Sequence, residues 1–131
     1  MSSGIGLYDW KSGNFYLDDD LSGGVADITV QFGPKCYDWK PIAGNWDGGA
    51  DSGIGLYDEG TGKFYLANEL SGGVADEVVR FGPRDSGWLP VVGDWNGNLG
   101  DDLGLYDQGS GKFYLDMDLT GGEAEKVVRF G

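Results

Sequence analysis

The chain has 131 residues, and its 22 acidic against 9 basic side chains leave a formal charge of −13 with no histidine. That balance excludes a phosphate-backbone binder, which needs a basic face to displace counterions, and it disfavours anionic membrane surfaces. No apolar stretch is long enough for a bilayer-spanning helix, while 40% hydrophobic and 14% aromatic residues are too many for a disordered acidic tail.

In chain order, Gly4–Asp9 and Asn14–Leu17 are short apolar runs joined by Lys11-Ser12-Gly13-Asn14, which reads as a hairpin. Ile28, Val30 and Phe32 then alternate with Thr29 and Gln31, the period-2 pattern of a strand with one buried face. Pro41–Trp46 is the fourth run. The same four recur downstream, with Gly60-Thr61-Gly62-Lys63 and Gly109-Ser110-Gly111-Lys112 as the later hairpin turns. Glu77 and Lys126 stand where the first copy has Ile28, so only the Val and Phe of that face persist and the strand is expected at the periphery. Leu89-Pro90-Val91-Val92-Gly93 is charge-free and suits a crowded inner strand. No window carries a helical stripe with caps, so the fold class is all-β. No basic start precedes an apolar segment, so no signal peptide is expected.

The recurrence has a fixed offset of 49 residues: Tyr8, Tyr57 and Tyr106 align, as do Phe32, Phe81 and Phe130, without insertion or deletion. The organisation is therefore unit one at 1–49, unit two at 50–98 and a truncated unit three at 99–131, a period near the lengths of propeller repeats. Sixteen of the 18 aromatic residues repeat between units, which fits filler between packed sheets. Trp10 and Tyr37 do not repeat and are the candidates for ligand binding. Trp10 falls in a hairpin turn where the other copies carry Glu59 and Gln108; exposed there, it could stack on a sugar ring or pack against a partner chain.

Cys36 is the single cysteine, so neither an internal disulfide nor a thiolate–imidazole zinc site is available. It aligns with Asp85 and is expected to be a partly exposed free thiol without a catalytic role. Without histidine there is no Ser/His/Asp or Cys/His arrangement. The acidic run Asp18-Asp19-Asp20 reads as a solvated loop, and no facing carboxylate pair stands out for glycoside hydrolysis, so an enzyme is not expected. Oxygen ligands point any metal to calcium. Asp94, Asn96, Asn98 and Asp102 occupy loop positions 1, 3, 5 and 9, a spacing that lets alternate residues wrap one cation. The first linker keeps Asn45 and Asp47 and displaces Asp51 to position 7. An Asx-rich turn that needs no metal is the competing reading of both loops.

Gly-Asp-Trp-Asn-Gly-Asn at 93–98, followed by Asp-Asp-Leu-Gly-Leu-Tyr-Asp at 101–107, resembles the repeat of FG-GAP and VCBS-type proteins, and Phe-Gly-Pro at 32–34 and 81–83 extends the likeness over nearly the whole chain. The resemblance implies four-stranded β-propeller blades, calcium loops and an extracellular or cell-surface setting. The chain departs from the pattern at Leu99, at the two Asn ligands and in the first loop. It holds three, four and four predicted strands, about two and three-quarter blades, and fewer than four blades do not close a ring on the usual counts. A homo-oligomer that closes the ring is expected; a monomeric β-trefoil is the alternative topology. The function expected is a non-catalytic binding module for a glycan or surface protein, the alternative being a structural, self-assembling propeller fragment.

Overall fold

Each copy opens on a hairpin whose turn is built by one aspartate. Asp58 accepts the Gly60 N–H through Oδ1 (3.0 Å) and the Thr61 hydroxyl through Oδ2 (2.8 Å). Gly62, at φ +76°, returns its N–H to the Asp58 carbonyl (2.8 Å). Asp9 repeats this with the Lys11 N–H and Ser12 hydroxyl, and Asp107 with the Gly109 N–H and Ser110 hydroxyl. The side chain thus satisfies turn donors that would otherwise depend on water.

The structure, a computed structural model, describes residues 5–18, 24–34, 37, 39–46, 53–68, 70, 73–97, 100–117, 119 and 121–130. Among these the fold is all-β, with no helix and eleven strands: β1 Ile5–Asp9, β2 Asn14–Asp18, β3 Ile28–Gln31, β4 Lys40–Gly44, β5 Gly53–Asp58, β6 Lys63–Ala67, β7 Glu77–Arg80, β8 Leu89–Gly93, β9 Asp102–Asp107, β10 Lys112–Asp116 and β11 Lys126–Arg129. They form three antiparallel sheets in the orders β1-β2-β3, β4-β5-β6-β7 and β8-β9-β10-β11, none closed into a barrel. The strands β3, β7 and β11 lie at sheet edges, as their interrupted apolar face predicts. At the opposite edges β4 and β8 run close to one another.

Two strand ends fall short of the sequence reading. Phe32 and Phe81 leave their own strands and form single parallel bridges to Gly73 and Gly122, in the β6–β7 and β10–β11 connections of the sheet that follows. Trp46 lies beyond β4, buried, with its indole N–H donating to the Ile54 carbonyl (3.1 Å); Trp95 does the same to Leu103 (3.0 Å). Each aromatic thus anchors the chain just beyond its strand, Phe32 and Phe81 against the sheet that follows and Trp46 and Trp95 within their own sheet.

Alternation then decides which side chains meet. Phe15, Val30 and Phe32 of the first sheet cluster with Ile54, Leu56 and Ala67 of the second. Forty-nine residues on, Phe64, Val79 and Phe81 of the second sheet cluster with Leu103 and Leu105 of the third. The two contacts are copies of one another. Within each sheet the same aromatic pair recurs, with Tyr8 on Phe15, Tyr57 on Phe64 and Tyr106 on Phe113 at centroid separations of 4.6, 4.4 and 4.5 Å.

Candidate functional site

The β5–β6 hairpin turn and the connection from β7 to β8 are drawn together by a backbone bond from the Asp85 N–H to the Glu59 carbonyl (2.7 Å). Asp85 adopts φ +53° to make it, a left-handed conformation that Asp tolerates better than most residues. Between these segments and Trp39 lies a cleft of about 480 Å³ lined by Trp39, Asp58, Glu59, Gly60, Asp85, Ser86 and Gly87. One wall is aromatic and the rest is acidic and polar.

The aromatic wall continues as a row of rings. Trp39 stacks on Tyr65 with centroids 4.8 Å apart and planes within 2°, and also on Tyr37 at 5.8 Å and 17°. Tyr37 is 57% exposed and ends the row. On the polar side both Asp58 oxygens are engaged by the turn, which leaves Glu59 and Asp85 as the carboxylates for a ligand. Glu59 also lies 3.9 Å from the Lys40 ammonium, an open surface pair of little energetic weight. Burial raises the Tyr57 phenol above its ordinary pKa; the nearby Ser86 hydroxyl opposes this, and Glu59 and Asp58 add to it. Tyr65 is raised by burial first and by Asp58 second. Both phenols are therefore neutral at physiological pH.

Of the two aromatics singled out by the sequence, Tyr37 thus joins this row. Trp10 is 41% exposed at the tip of the first hairpin, with the Lys11 ammonium 5.8 Å from its ring centroid. In the repeat, Trp10 and Tyr37 take the positions of Glu59 and Ser86, both of which line the cleft of the second copy. The sequence missed Trp39, because its recurrence as Trp88 marked it as core filler; Trp88 does stack on Tyr114, at 4.5 Å. The signal was present: a Trp just before a strand edge, next to a non-repeating Tyr.

The residues proposed for calcium are engaged as follows. Asp94 is exposed and accepts the Gly97 N–H through Oδ1 (2.8 Å), an Asx-type turn. The Asn96 amide nitrogen donates to the Met117 carbonyl, and Asp102 is buried at the start of β9. Asn98, Asp47 and Asp51 lie outside the described residues, as does Cys36. The Asn45 N–H donates to the Asp101 carboxylate (2.8 Å) and its carbonyl accepts the Asp101 N–H (2.6 Å), so the two linkers are tied to each other. No group of three acidic, His or Cys side chains able to hold a metal occurs among the described residues. Of the described donors, one is folded into an Asx turn, one is turned to a carbonyl and one is buried in a strand.

No protein-family model matches the chain, and no curated protein or solved structure matches it either.

Proposed function

We propose that the chain is a non-catalytic binding module of propeller-type blades that recognises carbohydrate. The observation that carries this reading is the cleft lined by Trp39, Glu59, Asp85 and Ser86, with exposed Tyr37 stacked on Trp39 at the end of the aromatic row. A pyranose ring has an apolar face that stacks on an aromatic and a rim of hydroxyls that donate to carboxylates. The stack behind Tyr37 holds its ring in place, which lowers the entropy lost on binding. Three like sheets, each packed on the next, support the blade reading, and the resemblance to FG-GAP and VCBS repeats implies work outside the cell or on its surface.

A glycan array followed by calorimetric titration of the best neutral oligosaccharide tests this. Binding is expected to weaken about tenfold in Tyr37→Ala, the scale of one lost aromatic contact, and to survive in Tyr37→Phe. A folded protein that retains no glycan, or a Tyr37→Ala variant that binds like the parent, overturns the reading.

A further inference from the structure

Two outer faces of this chain are the separate halves of a contact that it makes twice within itself. In both internal contacts a leucine of one sheet is sealed against the preceding sheet: Leu56 and Leu105 are fully buried in the clusters that hold Phe32 and Phe81. The equivalent leucine of the first sheet, Leu7, is 77% exposed, and Tyr16 beside it is exposed too, whereas its counterparts Tyr65 and Tyr114 are half-buried under Trp39 and Trp88. At the other end Phe130 is 75% exposed, against 2% for Phe32 and 1% for Phe81.

The exposed halves already have the geometry of the buried ones. The Phe130 N–H donates to the Gly111 carbonyl (2.9 Å), as Phe32 does to Gly13 (3.0 Å) and Phe81 to Gly62 (2.9 Å). Each internal contact is also closed by a backbone bond: Gly73 N–H to the Gln31 carbonyl (3.3 Å) and Gly122 N–H to the Arg80 carbonyl (2.8 Å). The matching glycine of the first sheet, Gly24, holds φ +80°, beside +85° at Gly73 and +78° at Gly122. Its counterpart acceptor is the Arg129 carbonyl.

We infer that a second copy of this chain covers these faces head to tail, with Leu7, Tyr16 and Gly24 of one copy docking on Phe130 and the Arg129 carbonyl of the next. One local pair favours the match against the overall acidity of both copies. Where the first internal contact gathers Ile28 and Ala67 into one cluster, the copy-to-copy contact has Lys126 and Asp18, which are of opposite sign. The two faces differ, so the contact is heterologous and produces a ring or an open filament rather than a two-fold dimer. This inference is independent of the carbohydrate reading.

Sedimentation velocity and light scattering on the intact chain, over a concentration series, test it. The expected mass is at least twice 14.0 kDa. Leu7→Asp and Phe130→Asp, both at exposed positions, are each expected to give a folded 14.0 kDa species by circular dichroism and scattering. Mixed together they are expected to recombine into a species of twice that mass, because each retains the face the other has lost. A parent chain that stays at 14.0 kDa throughout overturns the inference. So does a Phe130→Asp chain that remains assembled alone, or a folded pair of variants that fails to recombine.

Discussion

Tyr57 shows how far a single side chain could be read in advance. Its recurrence with Tyr8 and Tyr106 marked it as a filler of the space between sheets, and it is fully buried against Phe64. What the recurrence did not show is its full surroundings, because Ser86 comes from a segment that only the folded chain brings to it. The phenols of Tyr57, Tyr8 and Tyr65 are all raised above 10.0, in each case by burial first. In the unfolded chain they ionise near 10.0, before the folded chain does, so the native state binds more protons above that pH. The stability they contribute is complete below pH 10 and is lost as pH rises through the folded values. Urea midpoints measured up the alkaline range are therefore expected to fall steeply above pH 10, and less steeply in Tyr57→Phe. Equal slopes would mean that the Tyr57 phenol is not shielded from water.

Between elements, the Phe-Gly-Pro motif carries more than its repetition announced. The sequence placed Phe32 in a strand; the structure sends it across to Gly73, about forty residues away, a partner that no local pattern identifies. The glycine that follows is fixed by two requirements at once. Gly82 holds φ +87°, and a Cβ there would lie 2.3 Å from Leu105 Cδ1; Gly33 repeats this at +88° and 2.4 Å from Leu56. Gly87 shares the left-handed conformation, at +72°, but faces open space. Gly87→Ala is therefore expected to cost only the backbone strain, about 1–2 kcal/mol, whereas Gly82→Ala adds the displacement of a buried leucine, for a total of roughly 3 kcal/mol or more. Denaturant midpoints of the two variants measure the difference; equal losses would mean that Leu105 yields without cost. Trp46 teaches the same lesson, since the 49-residue period pairs it with Trp95 but does not show that each indole bonds back across a linker, to Ile54 and Leu103.

For the molecule as a whole, the 49-residue period made the hairpins, the strand count and the edge position of β3, β7 and β11 legible before any coordinates. The stacking order was not, because alternation says which residues share a face and is silent on what covers that face. The net charge of −13 belongs to this scale too, because it is spread over all three copies. Like charges at that density repel both within the folded chain and between copies. Raising ionic strength from about 0.01 M to about 0.15 M shortens the screening length from about 30 Å to about 8 Å. The melting temperature is therefore expected to rise with added sodium chloride, and a scanning calorimetry series that shows no rise would locate the repulsion outside the folded contacts.

The phase between the repeat and the sheets carries one more consequence. The strand β4 belongs to the first 49-residue unit in sequence, yet it is hydrogen-bonded into the second sheet, and β8 does the same one unit later. Excising any 49 consecutive residues within the periodic region therefore removes one whole sheet and rejoins the chain across the same Leu–Phe contact it already makes. Duplicating such a stretch adds a sheet on the same terms. Unequal recombination between copies of the coding sequence could lengthen or shorten this molecule in steps of one sheet, with no new interface to evolve at the join.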